Sequence, residues 1–350
     1  MRGLRFLASA LFACLVIMVL VSPSFVQAKK FNLRGQSCFG LASPLGRHTI
    51  VLWKQIAEEM SDGRLSIELF DAGAVVPPAE VFDAVRQGVL DLGLNTPAWQ
   101  KGKYPAGDLF YTLPGGVLEF NDLLIWMYGD EGMQLQQEMY GDNIIVFPLG
   151  LTPPEEMWTK RQVKTLDDLK GMKIRSAGLG MDVLEQLGAS VVILPGGEVL
   201  PALQRGVIDG AEFLDASMDY SLGLHEVAKF RFGPPIHMSN NIFQLVINPK
   251  KWAALPADLQ AIVKYAAMAA TIQGYSSHWV ESIEANKKIE AAGITTTKLS
   301  KEDQDKVRQI TIDILNKKAQ ADPYFNKVWT SQKAYLEKYQ PYDNLTKFDK

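Results

Sequence analysis

Arg175 carries the clearest chemistry in this chain. It ends the run Met172-Lys173-Ile174-Arg175, which reads as a strand, and it precedes Ser176-Ala177-Gly178-Leu179-Gly180, where a helix begins. A guanidinium at a strand's carboxyl end offers a carboxylate a planar two-bond fork, and the helix start adds favourable partial charge. A surface arginine in an ordinary ion pair is the plainer alternative. Glu212, in Gly210-Ala211-Glu212-Phe213-Leu214-Asp215, also follows a buried strand. Its carboxylate could ligate a hard cation or accept a hydrogen bond from a bound molecule, and a solvated loop carboxylate is the alternative. Trp99, after the strand ending at Asn95, and Trp158 are each a cleft aromatic or a core residue.

Catalytic arrangements are missing from the pattern. His48, His225, His237 and His278 have no metal-ligand spacing. No Gly-x-Ser-x-Gly elbow, phosphate loop or CxxC is present, and Gly178-x-Gly180 lacks the third glycine of a dinucleotide fingerprint. Glu155-Glu156 and Asp167-Asp168 are adjacent pairs whose side chains do not face one another. No catalytic residue is assigned, and binding rather than turnover is expected.

These residues need a scaffold. Phe31–Gly40 reads as a strand, and Ser43 opens a helix whose apolar face is Ile50, Trp53, Ile56, Ala57 and Met60. Ser61-Asp62-Gly63 stops it. Leu65–Phe70 alternates as a strand, Pro77-Pro78 opens a helix ended by Gly88, and Val89–Asn95 is a third strand. The second half repeats the pattern: strand to Arg175, helix Leu179–Leu187, strand Ser190–Leu194, helix Glu198–Arg205 ended by Gly206, strand Val207–Phe213. This alternation predicts an α/β fold with a mostly parallel sheet in each of two lobes, and a ligand cleft at the carboxyl ends of the strands. The blocks 80–91 and 198–209 share six of twelve residues, each placing a glycine where a helix turns into a strand. A long Ala-rich helix from about Pro256 to Ala292, with Ile262, Val263, Tyr265, Ala266, Ala269, Ala270 and Ile272 as its apolar interior, is long enough to span both lobes. Another helix follows from Lys301 to Ala321, then an aromatic tail (Tyr324, Phe325, Trp329, Tyr335, Tyr339, Tyr342) that would pack on the surface or on a second copy. The expected organisation is residues 31–150 plus about 241–256 in lobe one, 151–240 in lobe two, and 257–350 as the spanning helix and a C-terminal helical region.

With 350 residues, 47 % hydrophobic and 21 % charged, the chain has the composition of a globular two-domain protein. A net charge of −3 without a basic stripe argues against nucleic-acid binding. Arg2 and Arg5 precede the apolar run Phe6–Val21, and Val26 and Ala28 stand as small residues before Lys29. That is the pattern of a cleaved secretory leader, residues 1–28, and its removal takes the charge to −5. Cys14 leaves with it, so Cys38 has no cysteine to pair with and stability must come from packing.

Three blocks carry a resemblance: Phe70-Asp71-Ala72-Gly73 through Val81-Phe82-Asp83-Ala84-Val85-Arg86-Gln87-Gly88-Val89-Leu90-Asp91-Leu92-Gly93, then Leu169-Lys170-Gly171-Met172-Lys173-Ile174-Arg175, then Ala202-Leu203-Gln204-Arg205-Gly206-Val207-Ile208-Asp209-Gly210-Ala211-Glu212. In this order they resemble the DctP-type substrate-binding subunits of TRAP transporters, the periplasmic components of tripartite, ATP-independent uptake systems. Pro195-Gly196-Gly197-Glu198 and Ala211-Glu212-Phe213 are most similar to the 2-oxo acid branch, the TakP-like or mannitol/chloroaromatic type.

The resemblance implies a two-lobed periplasmic binding protein that closes on a small organic acid anion, a 2-oxo or related monocarboxylate, and delivers it to integral membrane permease subunits. It implies that Arg175 holds the ligand carboxylate, and that Trp99 and Phe213 line the pocket. A bound Na⁺ or Ca²⁺ would bridge ligand and protein through Glu212 and the backbone carbonyl of Phe213, with no other cofactor required. The chain departs from the branch in Gly150-Leu151-Thr152-Pro153-Pro154-Glu155-Glu156-Met157-Trp158, where an asparagine and a glutamine usually precede the tryptophan. Thr152 then stands for the ligand hydrogen bond and Glu155 for the cation ligand. A homodimer through swapped C-terminal helices is also implied. Loops 95–101, 150–158 and 236–244 would set the pocket's shape. The alternatives are a ligand sensor or an enzyme on the same scaffold, and the three blocks argue against the binding subunit of an ATP-driven importer.

Overall fold

Strands β1 (Phe31–Ser37), β2 (Leu65–Phe70), β3 (Leu92–Asn95), β4 (Ile145–Leu151) and, much later in the chain, β10 (Ile242–Ile247) form one sheet in the order β2-β1-β3-β10-β4. β1 runs parallel to β2 and β3, and β10 antiparallel to β3 and β4. Strands β5 (Met157–Thr159), β6 (Lys173–Arg175), β7 (Ser190–Val192), β8 (Gly210–Ala211), β9 (Phe230–Gly233) and β11 (Thr295–Lys298) form the second, in the order β11-β9-β5-β8-β6-β7. The computed structural model describes residues 29–346 apart from position 240, so the expected leader lies outside the described residues. Among those residues no helix is long and apolar enough to cross a membrane.

Each sheet has its own apolar core. Leu33, Trp53, Phe82, Leu94 and Phe243 belong to the first, and Ile174, Val183 and Leu184 pack on one side of the second. The helices that cover the sheets include α1 (Leu52–Met60), α2 (Val81–Gln87), α3 (Phe120–Gly129) and α4 (Gly132–Tyr140) in the first lobe. In the second they include α5 (Gly178–Gln186), α6 (Gly196–Gln204) and α7 (Ala216–Ser221). Ser43 caps the helical run that leads into α1, accepting from the Gly46 N–H at 3.1 Å.

The sequence echo has a structural cause. After α2, Gly88 takes the left-handed conformation at φ 82°, and Gly206 does so after α6 at φ 72°. The next N–H groups, of Val89 and Val207, bond back into their helices, to Ala84 O and Ala202 O, both at 2.9 Å. Val89 and Val207 therefore belong to helix exits and are exposed, and the strands begin later than their apolar patterns predict. Asp91 and Asp209 then do the same job in each lobe. The Asp91 N–H donates to Arg34 O at 2.8 Å while its carboxylate accepts from the Arg34 N–H at 2.8 Å. Asp209 repeats this with Lys173, at 2.7 and 2.8 Å.

Between the sheets the chain crosses at 152–156 and returns at 234–241. The third connection is α8 (Ala257–Ala291), 35 residues long and so about 50 Å at 1.5 Å per residue. Leu259, Val263, Ala266 and Ala270 bury in the first lobe's core, and Ala285 and Ile289 in the second's. Its small residues permit close approach: a Cβ on Gly274 would stand 1.8 Å from the His48 carbonyl oxygen. Tyr265 and Ile272, expected in its interior, are instead half exposed, because the helix lies across the outside of both lobes and buries only a narrow stripe.

The C-terminal region is not helical throughout, since β11 adds to the second sheet. Helix α9 (Lys301–Ala321) follows, and the aromatic tail is a helix, α10 (Pro323–Thr346). Phe325, Val328, Trp329 and Tyr335 of α10 enter a core with Leu109, Phe110, Trp126 and Leu135 of the same chain. Trp126 Nε1–H donates to Ser331 Oγ at 3.0 Å, and Tyr324 O–H donates to Leu135 O at 2.6 Å.

Candidate functional site

Arg175 and Glu212 come together through sheet register. β6 and β8 are parallel, with Arg175 opposite Ala211, so both strands deliver their next polar group to the same end. Arg175 Nη1 donates to Glu212 Oε2 at 2.9 Å and to the Glu212 carbonyl at 2.7 Å, and Nε donates to Leu194 O at 3.3 Å. The guanidinium carbon lies 5.6 Å from the centre of the Phe213 ring. Nη2 makes no protein hydrogen bond among the described residues, which leaves one edge of the fork for an anion. The arginine is 9 % exposed and Glu212 fully buried, so this pair has left water.

Two more ligand-type groups arrive from the crossing segments. Glu155 comes from the outward crossing, and His237 and Asn241 from the return. Asn241 Nδ2 donates to Glu155 Oε1 and, at 3.2 Å, to Thr152 Oγ1. Glu155, Glu212 and His237 are all buried, and one donor atom from each lies within 4.8 Å of the others. Glu155 Oε2, Glu212 Oε1 and both ring nitrogens of His237 lack a hydrogen-bond partner. His237 Nε2 stands 3.5 Å from Glu155 Oε2.

The electrostatics follow from that burial. Burial pushes the Glu155 carboxyl well above the usual range, and the neighbouring Glu212 and Asp219 charges push it further. Burial raises Glu212 as well, against the pull of Arg175. His237 is held down to about 3, first by burial and then by the Arg175 charge, so its imidazole is neutral at neutral pH. A hard or borderline cation would satisfy the orphaned oxygens and the free imidazole together, so the donor set fits a metal ion.

An aromatic wall closes the other side. Trp99, 39 % exposed, lies 6.2 Å from Phe39 between ring centres, and Phe39 meets Phe213 edge-on at 6.3 Å and Phe243 at 5.4 Å. Phe39 follows β1 in the first lobe and Phe213 follows β8 in the second, so this contact bridges the lobes. Tyr111 packs on Phe243 at 5.6 Å; its hydroxyl is pushed far up by burial and by the Glu155 and Glu212 charges.

The candidates from sequence thus divide. Arg175, Glu212, Phe213, Thr152 and Glu155 gather at one place, and Trp99 stands at the edge of the aromatic wall. Trp158 lies in the second lobe's core with Val199, Leu203 and Ala211, and its indole N–H donates to Asp219 Oδ2 at 2.7 Å. Sequence reasoning missed His237, Asn241, Phe39 and Tyr111. For His237 and Asn241 the only signal was their position in a loop predicted to shape the pocket. Phe39 had none, because it fell inside the strand read as Phe31–Gly40, which in the structure ends at Ser37.

Folding also assembles a serine, a histidine and an aspartate that spacing did not announce. Ser217 Oγ donates to Asp215 Oδ1 at 2.6 Å, and His278 Nε2 is 3.0 Å from both Ser217 Oγ and Asp215 Oδ2. In a catalytic relay the two ring nitrogens divide between nucleophile and acid. Here Nε2 faces both, Nδ1 has no partner, and the group is buried. With Ser282 Oγ, which donates to Asp215 Oδ1 at 2.5 Å, it acts as a polar clamp between α8 and the start of α7.

Comparison with known proteins agrees with this architecture. The model of the bacterial extracellular solute-binding proteins, family 7 (DctP), matches residues 40–322. Over 320 residues, 90 % of this chain and 87 % of the other, the chain is 33 % identical to a monocarboxylate 2-oxoacid-binding periplasmic protein of Nostoc sp.. A TRAP periplasmic solute-binding protein from Pseudoalteromonas atlantica with bound sodium and pyruvate has a TM-score of 0.84 at 28 % identity, covering 91 % of this chain and 97 % of that one. One from Colwellia psychrerythraea with bound calcium and pyruvate has a TM-score of 0.85 at 27 % identity, covering 91 % and 98 %. The chain belongs to family 7 of the bacterial extracellular solute-binding proteins, the DctP-type binding subunits of TRAP transporters.

Proposed function

We propose that this chain captures a small monocarboxylate 2-oxo acid of pyruvate size in the periplasm, after loss of residues 1–28, and presents it to the membrane subunits of a TRAP transporter without transforming it. The observation that carries this reading is the buried Arg175 guanidinium. Two of its nitrogens are fixed by the protein, and its remaining edge is free beside the aromatic wall. That edge takes the ligand carboxylate. Glu212, the Phe213 carbonyl and Glu155 would hold a cation, which would supply positive charge to the oxygens of the bound 2-oxo acid. Thr152 supplies a hydrogen bond, and Trp99, Phe39 and Phe213 exclude water from the small apolar end. Residues 31–150 with 241–256 form one lobe and 151–240 the other, hinged where the chain crosses. Pairing of two copies through the C-terminal helices would have to use the outer end of α10, where Tyr342 and Leu345 are exposed, because its inner half is spent on this chain's own core.

The test is calorimetric titration of the ligand-stripped mature protein with pyruvate and longer 2-oxo acids. Arg175→Lys keeps the charge that Glu212 needs but loses the fork, so affinity should fall by about 100-fold with the thermal midpoint nearly unchanged. Binding of no 2-oxo acid by the wild type, or full affinity in Arg175→Lys, overturns the reading.

A further inference from the structure

We infer that His237 is an inner ligand of the cation site and tunes it toward divalent transition-type cations, in preference to Na⁺ and Ca²⁺. The inference rests on the 2-oxo acid reading above and deepens it. Two features of this chain carry it.

The first is charge. Arg175 contributes one positive charge, Glu155 and Glu212 two negative ones, and a monocarboxylate a third. With Glu155 ionised, as a carboxylate must be to ligate a metal, a monovalent cation leaves the closed site one charge negative, whereas a divalent cation makes it neutral. A buried site far from water favours neutrality, because an uncompensated charge there is expensive.

The second is ligand type. His237 is fully buried and neither of its ring nitrogens has a hydrogen-bond partner. A neutral imidazole offers one lone pair, and leaving it unused in the interior forgoes a bond that burial has already stripped of water. Na⁺ and Ca²⁺ take oxygen, while imidazole suits Fe²⁺, Ni²⁺ and Zn²⁺, and Co²⁺ stands between Fe²⁺ and Ni²⁺ in the order of affinity. Each carboxylate already has one oxygen engaged, Glu155 with Asn241 and Glu212 with Arg175. The other oxygen of each is free, and with His237 it makes a mixed oxygen–nitrogen set. Gly180 packs closely on the His237 backbone, since a Cβ there would stand 2.8 Å from the His237 Cβ.

The experiment uses the full mature chain, stripped with a chelator, with pyruvate as the organic probe. Pyruvate affinity is measured by calorimetry in Na⁺, Ca²⁺, Zn²⁺ and Co²⁺, and Co²⁺ loading is followed separately by visible absorption. The expected result is support of pyruvate binding at about ten-fold lower Zn²⁺ or Co²⁺ than Ca²⁺, with little support from Na⁺. His237→Gln should still bind pyruvate in Ca²⁺, but it should abolish that preference and move the Co²⁺ band to longer wavelength, because an oxygen ligand in place of imidazole weakens the ligand field. Wild-type protein that prefers Ca²⁺ or Na⁺, or binds pyruvate equally well without any cation, overturns the inference; this order decides even if His237→Gln does not fold. Co²⁺ preferred over Ca²⁺ by the wild type but not by His237→Gln, with pyruvate ignored throughout, supports the cation site and overturns the 2-oxo acid reading alone.

Discussion

Burial sets the state of several carboxylates in this chain, and Asp108 shows it away from the binding site. It is 3 % exposed, its Oδ1 has no partner, and a Cβ on Gly178 of the other lobe would stand 3.6 Å from that oxygen. Burial pushes its carboxyl up to about 7 from an ordinary 3.8, with Asp182 adding to the rise and Lys101 and Lys318 opposing it. A raised folded-state value means that the protonated form is the one folding favours. The stability it brings is full below the ordinary value and is lost as pH rises toward about 7. Asp108→Asn mimics the neutral acid. Its thermal midpoint should match the wild type's near pH 4 and exceed it by several degrees at pH 8, the gap growing through the interval and then levelling. Equal midpoints at pH 8 would show that Asp108 is paired or hydrated in solution.

The repeated strand–helix–strand units show how an element is fixed at its ends. Apolar periodicity and the two glycines made the units legible in the sequence. The reason for the shared aspartates was not legible, because it lies in the neighbouring strand: Asp91 and Asp209 each donate the backbone N–H to, and accept at the carboxylate from the N–H of, one residue of that strand. Asp209→Ala should therefore cost about 1–2 kcal/mol, seen as a midpoint lower by a few degrees, and Asp209→Asn, which keeps the accepting oxygen, much less. The same strand also brings Glu212 into place, so pyruvate affinity should fall with Asp209→Ala and recover with Asp209→Asn. The strand ends were misread for a local reason. Val89 and Val207 are apolar enough to continue a strand, yet their N–H groups close the preceding helices.

At the scale of the molecule, the lobes are joined by two crossing segments, by α8, and by the return from β11 of the second sheet through α9 to α10, which packs on the first lobe. Phe39 and Phe213 touch across the cleft, so the arrangement described here is a closed one. Opening must separate those rings and move Glu212 away from the first lobe, while the clamp of Asp215, Ser217, Ser282 and His278 keeps the second lobe tied to α8. In small-angle scattering the ligand-bound protein should show a radius of gyration near 20 Å, and the stripped protein a larger one that falls to this value when pyruvate and cation are added together. A radius that does not respond to either would mean that closure does not depend on the ligand.

The strand–helix alternation of 31–95 and 172–213, the two-lobed plan, the spanning helix and the places of Arg175 and Glu212 could be read from the sequence, whereas β4, β5, β9, β10, β11 and the helices α3 and α4 were not. Each of the legible features is a local property: a period of two or 3.6, a glycine at a helix exit, a polar group at the end of an apolar run. What the tertiary structure alone decided was the company these residues keep. Glu155 and His237 belong to different crossings, Phe39 and Phe213 to different lobes, and Trp158 turned inward because its strand faces the core. Proximity between such segments depends on how two sheets are connected through the crossings and α8, and no periodicity along the chain encodes it. For the same reason the apolar face of α8 was overestimated. Its alanines fit either surface, and only the position of the helix across both lobes decided which side met water.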